Sequence, residues 1–426
     1  MYLNDQQKRM LSGEEGVGVR KAMEILIAKG EAEGAKRMVD IVYAHLMPAD
    51  TMFFPYGRQG KWSRELTGTL TEGVTHLKVP ATMEPKFVDL EKAARHMEFS
   101  KQLVAEMESI MKPASEYYES IGVIPSYTAL PFLIFPTKFG QHVSIAESIA
   151  ILWYNTMLGS RCERDDGVTS LSAAITGVYP EIGVHLSKNR YAEVIIKPAN
   201  NIDVTQFNYT DWDAYSLAAS RKCKEKTPVF IDLPPNMTFT QKKHLLEVIA
   251  VESGLAIMHI VGITPEANTL EEALGGKKPI AKYEITKSDI DEAYQIVTTA
   301  TEKSVNYVFL GCPHVTLPEF QQITEIIKGK KVNPEVTLIV STNRQFFLSA
   351  QDMGYVKTIE KAGGIVVQDM CIAFSGTQVS GTIATDSMKA AFFYTGFSSK
   401  TKRRVRIGSI KKCIEATISG NWNERS

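Results

Sequence analysis

Cysteine is scarce in this chain, with five among 426 residues. So sparse a set builds no disulfide framework, and a reduced, cytoplasmic setting is expected, in which single cysteines are buried, reactive or metal-binding. An excess of either charge is also lacking: 48 Lys+Arg face 48 Asp+Glu. That balance argues against a broad electrostatic grip on nucleic acid or anionic lipid. One local basic run stands apart from it, Lys400, Lys402, Arg403, Arg404 and Arg406. Long hydrophobic runs are missing as well. The most apolar stretches, near 129–135 and 149–154, fall far short of the roughly 20 residues a membrane span needs. The polar start MYLNDQQKRM has no apolar segment behind it, so no secretory signal is read. No glycine-rich phosphate loop follows a strand pattern; Gly16 and Gly18 lack the strand before them and the spacing after them.

What is present is ordinary globular material, 44% hydrophobic and 23% charged, in a chain long enough for two or three domains. The first half reads helical. Residues 5–47 carry apolar side chains at three-and-four spacing, Met23 and Ile27, then Met38, Val42 and Leu46. The stretch 89–118 continues in that style, and a further apolar helix is expected over 144–158. The second half changes character. Short β-rich runs at 193–197, 228–232, 254–261, 305–310, 336–341 and 364–368 alternate with helical patterns at 240–253, 317–328 and 344–353. Such alternation implies α/β structure with parallel sheets covered by helices. The expected division is a helix-rich region over 1–200, an α/β domain over 201–330 and an α/β segment over 331–426.

In open α/β sheets ligands bind beyond the carboxyl ends of strands. Cys312, in Gly311-Cys312-Pro313-His314, and Cys371, in Asp369-Met370-Cys371, both follow expected strands. A thiol before a helix has its thiolate favoured, and thiolate is the form that ligates iron; a buried cysteine acting as a small hydrophobe is the alternative. Arg161 and Arg164, three apart in Gly159-Ser160-Arg161-Cys162-Glu163-Arg164-Asp165-Asp166, suit either a clamp on a carboxylate or phosphate or a salt-bridge cluster with the acids among them. Lys389 reads as a polar-turn lysine, and His45 and His259 as core histidines.

A run of segments then becomes familiar as a set. Ser126-Tyr127-Thr128, Glu147-Ser148, Gly159-Ser160-Arg161, Ala173-Ala174-Ile175-Thr176-Gly177 and Gly183-Val184-His185-Leu186 in the first half resemble the aconitase X family, which comprises the large subunits of phosphomevalonate dehydratase and the cis-3-hydroxyproline dehydratases. His259-Ile260-Val261-Gly262-Ile263-Thr264-Pro265, Gly311-Cys312-Pro313-His314, Asp369-Met370-Cys371, Thr385-Asp386-Ser387-Met388-Lys389 and Gly408-Ser409-Ile410 continue it in order. The resemblance implies an aconitase-like multi-domain α/β architecture around a central cleft. It also implies a hydro-lyase that removes water from a small hydroxy acid at an iron or iron-sulfur centre. An iron with an open position acts as a Lewis acid on the hydroxyl, arginine forks hold the carboxylate, and a base takes the neighbouring proton.

Carried onto this sequence, the resemblance marks Cys312 and Cys371 as metal ligands, and Ser148, Arg161, Arg164 and Lys389 as substrate-binding. His45, His314, Ser387 and Lys389 become the catalytic candidates. The chain departs from the pattern at Ala129, where a third cysteine is expected, and at Glu84, Met370, Asp386 and Met388. Three readings follow: Cys162 supplies the third thiolate; two thiolates hold the centre with a histidine, carboxylate or waters; or the centre is lost in a divergent paralogue. The closing swivel domain of aconitase-type sites is not found before the chain stops, so a separate small subunit is expected as partner. The expected substrate is cis-3-hydroxy-L-proline. The alternative, mevalonate 5-phosphate, would need further cations such as Lys78, Lys86, Arg58 or Arg64.

Overall fold

A computed structural model describes residues 1–48, 51, 65–397 and 402–423. The expected Arg58, Arg64 and Lys400 lie outside the described residues. Three parallel sheets organise the chain. The first has the order β4-β3-β2-β5, from β2 (Ala44–Leu46), β3 (Ala81–Met83), β4 (Val123–Ile124) and β5 (Ser144–Ile145). The second has the order β10-β7-β8-β9, from β7 (Val194–Pro198), β8 (Pro228–Phe230), β9 (His259–Ile260) and β10 (Ala281–Ile285). The third has the order β13-β12-β11-β14-β15, from β11 (Tyr307–Leu310), β12 (Thr337–Thr342), β13 (Ile365–Gln368), β14 (Ile383–Thr385) and β15 (Val405–Ile407). A small antiparallel pair, β1 (Met38–Asp40) with β6 (Val178–Pro180), closes the first region.

The strands expected in the second half form, because they are β-branched and buried and the helices between them are capped, and β10, β14, β15 and the helix Tyr209–Cys223 join them. Thr238 and Gln241 form a capping box at the start of Phe239–Glu252, and Asn343 caps Arg344–Asp352. The first half departs from the reading. Residues 38–46 form two strands rather than a helix. The helix Val17–Ala32 ends before Gly34, which takes a left-handed φ of 74°. Val39, Ile41, Val42 and Tyr43 then suit a pleated surface. Because nearly every residue there is apolar, a helical spacing can be found by coincidence. Likewise 89–99 precedes the helix Lys101–Ser120 as turns, and 144–158 divides into β5, the helix Ser148–Leu152 and a π-turn over Trp153–Met157.

The sheets also divide the chain differently from the expected boundaries. β7 belongs with β8–β10, and a cut at 330 would sever β11 from β12, its neighbour in register Tyr307↔Thr337 through Leu310↔Val340. One continuous hydrophobic core runs from Tyr43 and Tyr154 through Trp212 and Phe230 to Phe309 and Ile407, so the three sheets share an interior. Between the first and third sheets the chain makes a direct main-chain stitch. Lys86 N donates to Asp369 O at 2.7 Å and Cys371 N donates to Lys86 O at 2.8 Å. No helix among the described residues is long and apolar enough to cross a membrane.

Candidate functional site

The carboxyl ends of the first and third sheets face one another across a cavity of about 480 Å³. From the first sheet come Met47 after β2, Glu84 and Pro85 after β3, Ala129 in the segment after β4, and Ala146 to Ser148 after β5. From the third come Gly311 to His314 after β11, Met370 to Phe374 after β13, and Lys389 and Phe393 after β14. The second sheet sends none of its strand ends here; its region contributes Val251, from the helix Phe239–Glu252.

Local sequence explains the delivery. Gly311 has φ 105°, and a Cβ there would lie 2.0 Å from Ser341 O, so only glycine lets β11 turn directly into Cys312. Cys371 is the N-cap of Ile372–Ser375, and Lys389 sits in the first turn of Met388–Phe392, capped by Ser387. Glu147 caps Ser148–Leu152 by accepting from Ala150 N at 2.7 Å, which leaves its other oxygen for the cavity.

Lys389 Nζ meets Glu147 Oε1 at 2.9 Å, and Ser148 Oγ donates to the same oxygen at 3.0 Å. Both partners are buried, and although burial opposes its charge the Lys389 amine is held well above its usual range, chiefly by Glu147. His314 lies in the cavity wall with Nε2 3.3 Å from Met370 O and Nδ1 unpartnered. Burial lowers its pKa to about 3, so it is neutral. Glu84 Oε1 lies 3.0 Å from His45 Nε2, and His45, fully buried behind it, reaches the cavity only through this carboxyl. Asp165 accepts from Ser144 Oγ at 2.6 Å and from Tyr179 OH at 2.5 Å, and burial raises it to about 7.

Of the expected residues, Cys312, Cys371, His314, Lys389, Ser148 and Arg164 come together, and Arg161, Cys162, Ser387 and His45 do not line the cavity. Arg161 and Arg164 form no common clamp. The segment they occupy is extended, bridged at His142↔Arg161 and Ile145↔Arg164, and residues three apart in extended chain face opposite sides. Arg161 donates to His185 O at 2.7 Å and Ser187 Oγ at 2.8 Å, whereas Arg164 opens on the cavity and donates Nη1 to Ala250 O at 2.5 Å. Nor do the acids beside them make the salt-bridge cluster: Glu163 accepts from Val184 N and Asp166 caps Gly167–Thr176. Cys162 is wholly buried, its Sγ approached by Asn155 Nδ2 at 3.2 Å and 3.7 Å from Ile151 O, which makes it a core residue rather than a stand-in for Ala129. Ser387 turns its hydroxyl to Glu247 Oε1 at 3.3 Å, behind the Lys389 turn. His259 is the core histidine expected, bonded to Arg190 O at 2.6 Å. Lys78 pairs with Glu15 at 2.7 Å and Lys86 lies 4.2 Å over the Tyr127 ring; neither lines the cavity.

Glu84 and Glu147 carry no site role in the sequence reading. Each is a lone acid in an apolar run, ATMEP and SIAESIAIL, and that is the signal that could have found them.

The donor set tests the expected iron centre. Cys312 and Cys371 present two sulfurs to one cavity, and Ala129 occupies that wall with no donor. Among the described residues, the three-residue His/Cys/Asp/Glu group with ligand atoms within 4.8 Å of one another is Asp213, His244 and Glu247, away from this cavity. The cavity therefore fits a centre held by two thiolates and does not fit one held by three. Burial raises both thiols, Cys371 to about 11, so binding a metal means displacing their protons.

Behind the Lys389 turn lies a buried ionic network. Lys243 Nζ sits 2.9 Å from Glu319 Oε1; His244 joins Asp213 (Nδ1 to Oδ1, 2.7 Å) to Glu319 (Nε2 to Oε1, 3.0 Å). Asp213 Oδ2 accepts from Met388 N at 2.9 Å. Against burial, Asp213 and Glu247 raise His244 to about 10, so it is an imidazolium. It is satisfied by its neighbours and ties the second region's helices to the turn that carries Lys389.

These features define a class: a multi-domain α/β protein with a thiol-bearing cleft between opposed strand ends. The comparisons with known proteins give the particular. The first, second and third domains described for aconitase X match residues 1–188, 192–295 and 305–419. The phosphomevalonate dehydratase large subunit of Methanothermobacter thermautotrophicus is 32% identical over 407 residues, covering 93% of this chain and 94% of that one. The cis-3-hydroxy-L-proline dehydratase of Pseudomonas aeruginosa is 26% identical, with 96% of this chain and 69% of that one covered. The crystal structure of Thermococcus kodakaraensis aconitase X in its holo-form superposes with a TM-score of 0.83 at 27% identity, over 98% of this chain and 100% of that one. The chain belongs to the aconitase X family.

Proposed function

We propose that this protein is a dehydratase of the aconitase X type that removes water from a small hydroxy acid, working as the large, catalytic subunit with a separate small subunit. The convergence of Cys312, Cys371, Lys389, Ser148 and Arg164 from five separate segments on one cavity carries the reading. The size of that cavity, about 480 Å³, falls within the range of small-molecule sites, roughly 300–1,000 Å³. An iron centre held by Cys312 and Cys371 would supply Lewis-acid activation of the substrate hydroxyl. Arg164, open at the cavity mouth with guanidinium nitrogens unused by Ala250, takes the substrate carboxylate. The Lys389–Glu147 pair with Ser148 orients the polar end of the substrate, and Ile151, Val251, Ile372, Phe374 and Phe393 keep the reacting carbons from water.

The charge inventory supports cis-3-hydroxy-L-proline as first choice. Among the described cavity residues the cations are Arg164 and Lys389, and Lys389 is already paired, which suits one carboxylate. The acids Glu84, Glu147, Asp165 and Asp166 suit the ring amine. Mevalonate 5-phosphate is the second reading, favoured by the 32% identity to a phosphomevalonate dehydratase large subunit. Purification under anaerobic conditions with iron and acid-labile sulfide analysis, followed by assay against both hydroxy acids, tests the proposal. We expect bound iron and dehydration of one of the two. An absence of iron together with no turnover of either, with a small subunit added, overturns it.

A further inference from the structure

The carboxyl wall of the cavity contains a hydrogen-bonded relay that the roles above leave unused. Tyr43 OH is hydrogen-bonded to Thr82 Oγ1. Thr82 Oγ1 lies 2.7 Å from His45 Nδ1, and His45 Nε2 lies 3.0 Å from Glu84 Oε1. An imidazole nitrogen facing a carboxyl oxygen at that distance needs a proton between them. Tyr43, Thr82 and His45 have no exposure to solvent and Glu84 is 4% exposed, so neither end is open to bulk water.

We propose that Glu84 and His45 hold one proton between them at the cavity wall, and that Glu84 is the general acid that delivers it to the departing hydroxyl of the substrate. The proposal rests on the dehydratase reading and adds a residue to it. In the step, the C–O bond breaks with its electron pair going to oxygen, which takes the Glu84 proton and leaves as water. The C–H electron pair on the adjacent carbon becomes the new double bond as that proton passes to Glu147, the second carboxylate of the same wall. Glu84 is the catalytic residue here. His45 is a positioning residue, which orients the carboxyl and keeps its proton on the shared side. The environment agrees: burial, then Glu147, raises the Glu84 carboxyl well above its usual range despite Lys389, while burial lowers His45 to about 3. A neutral acid beside a neutral imidazole is the state a buried pair favours.

Glu84→Gln keeps the size and a hydrogen bond to His45 but has no proton to transfer. Infrared difference spectra of the full chain, wild type minus Glu84→Gln at neutral pH, should show one protonated-carboxyl band, and His45→Asn should shift that band. Absence of the band overturns the proposal whatever the reaction is. In the same preparations, loaded with iron and small subunit, Glu84→Gln should lower kcat about 10²–10⁴-fold with KM little changed; a kcat within about threefold of wild type overturns it. Failure of the wild type to dehydrate any hydroxy acid removes the dehydratase reading and with it the acid role, while the band still reports whether the proton is held.

Discussion

On the wall built by β3 and β5 the strands end in carboxyls, Glu84 and Glu147; on the wall built by β11, β13 and β14 they end in thiols, an imidazole and an amine, Cys312, Cys371, His314 and Lys389. Both walls use the same device, a buried parallel strand whose carboxyl end turns into the cavity. The chemistry they receive differs. A carboxyl buried near another carboxyl keeps a proton, whereas a buried thiol gives its proton up to a metal. In the proposed dehydratase one side manages protons and the other an electrophile, with Lys389–Glu147 as the charged contact across the gap.

The sharpest way to break this comparison is to disarm the thiol wall alone. Cys312→Ser or Cys371→Ser should lower iron affinity by about 100-fold or more, read as metal per protein by elemental analysis, while the Glu84 band stays in place. Next in size is the support behind that wall. Lys243→Met leaves Glu319 buried beside an apolar side chain and should cost about 3–5 kcal/mol in denaturant unfolding. The same network carries a pH signature. His244 is raised from 6.5 to about 10, so its contribution is whole below pH 6.5 and is lost as pH rises through about 10; thermal unfolding across that window should show the decline, and His244→Gln should flatten it. On the opposite side, Arg164→Gln should reduce kcat/KM by roughly 10–150-fold, the worth of a charged hydrogen-bonding partner at about 1.5–3 kcal/mol, mostly through KM. The smallest effect is expected at Cys162→Ala, with iron content unchanged and only stability reduced. A parallel loss of iron there would return Cys162 to the metal.

How much of this was legible depended on whether chemistry lay along the chain or across it. Three of the third sheet's five strands were read, since VNYVFL, VTLIVS and GIVVQ are β-branched, bounded and separated by capped helices, and Cys312 and Cys371 follow directly from them; β14 and β15, three residues each, were not. The first sheet was missed because its strands are two or three residues long and lie in continuously apolar sequence, where period cannot be counted. Its two acids received no role with it. Glu84 and Glu147 look unremarkable until β3 and β5 are known to end at a cavity, and His45 shows its role only through Thr82 and Glu84, some 40 residues away in the chain at separations of 37 and 39. Arg161 parts from Arg164 for a different reason: their segment is extended, which turns residues three apart to opposite sides.

The stitch between Lys86 and the Asp369–Cys371 segment bears on how such a cleft opens. Two main-chain hydrogen bonds, 2.7 and 2.8 Å long, join the stretch just after Glu84 to the stretch just before and at Cys371. Acid and thiol are thereby set two and zero residues from a common seam, like teeth cut on adjoining gears. Parting the walls would shear that seam and displace both groups at once, so the seam fixes the spacing between Glu84 and Cys371.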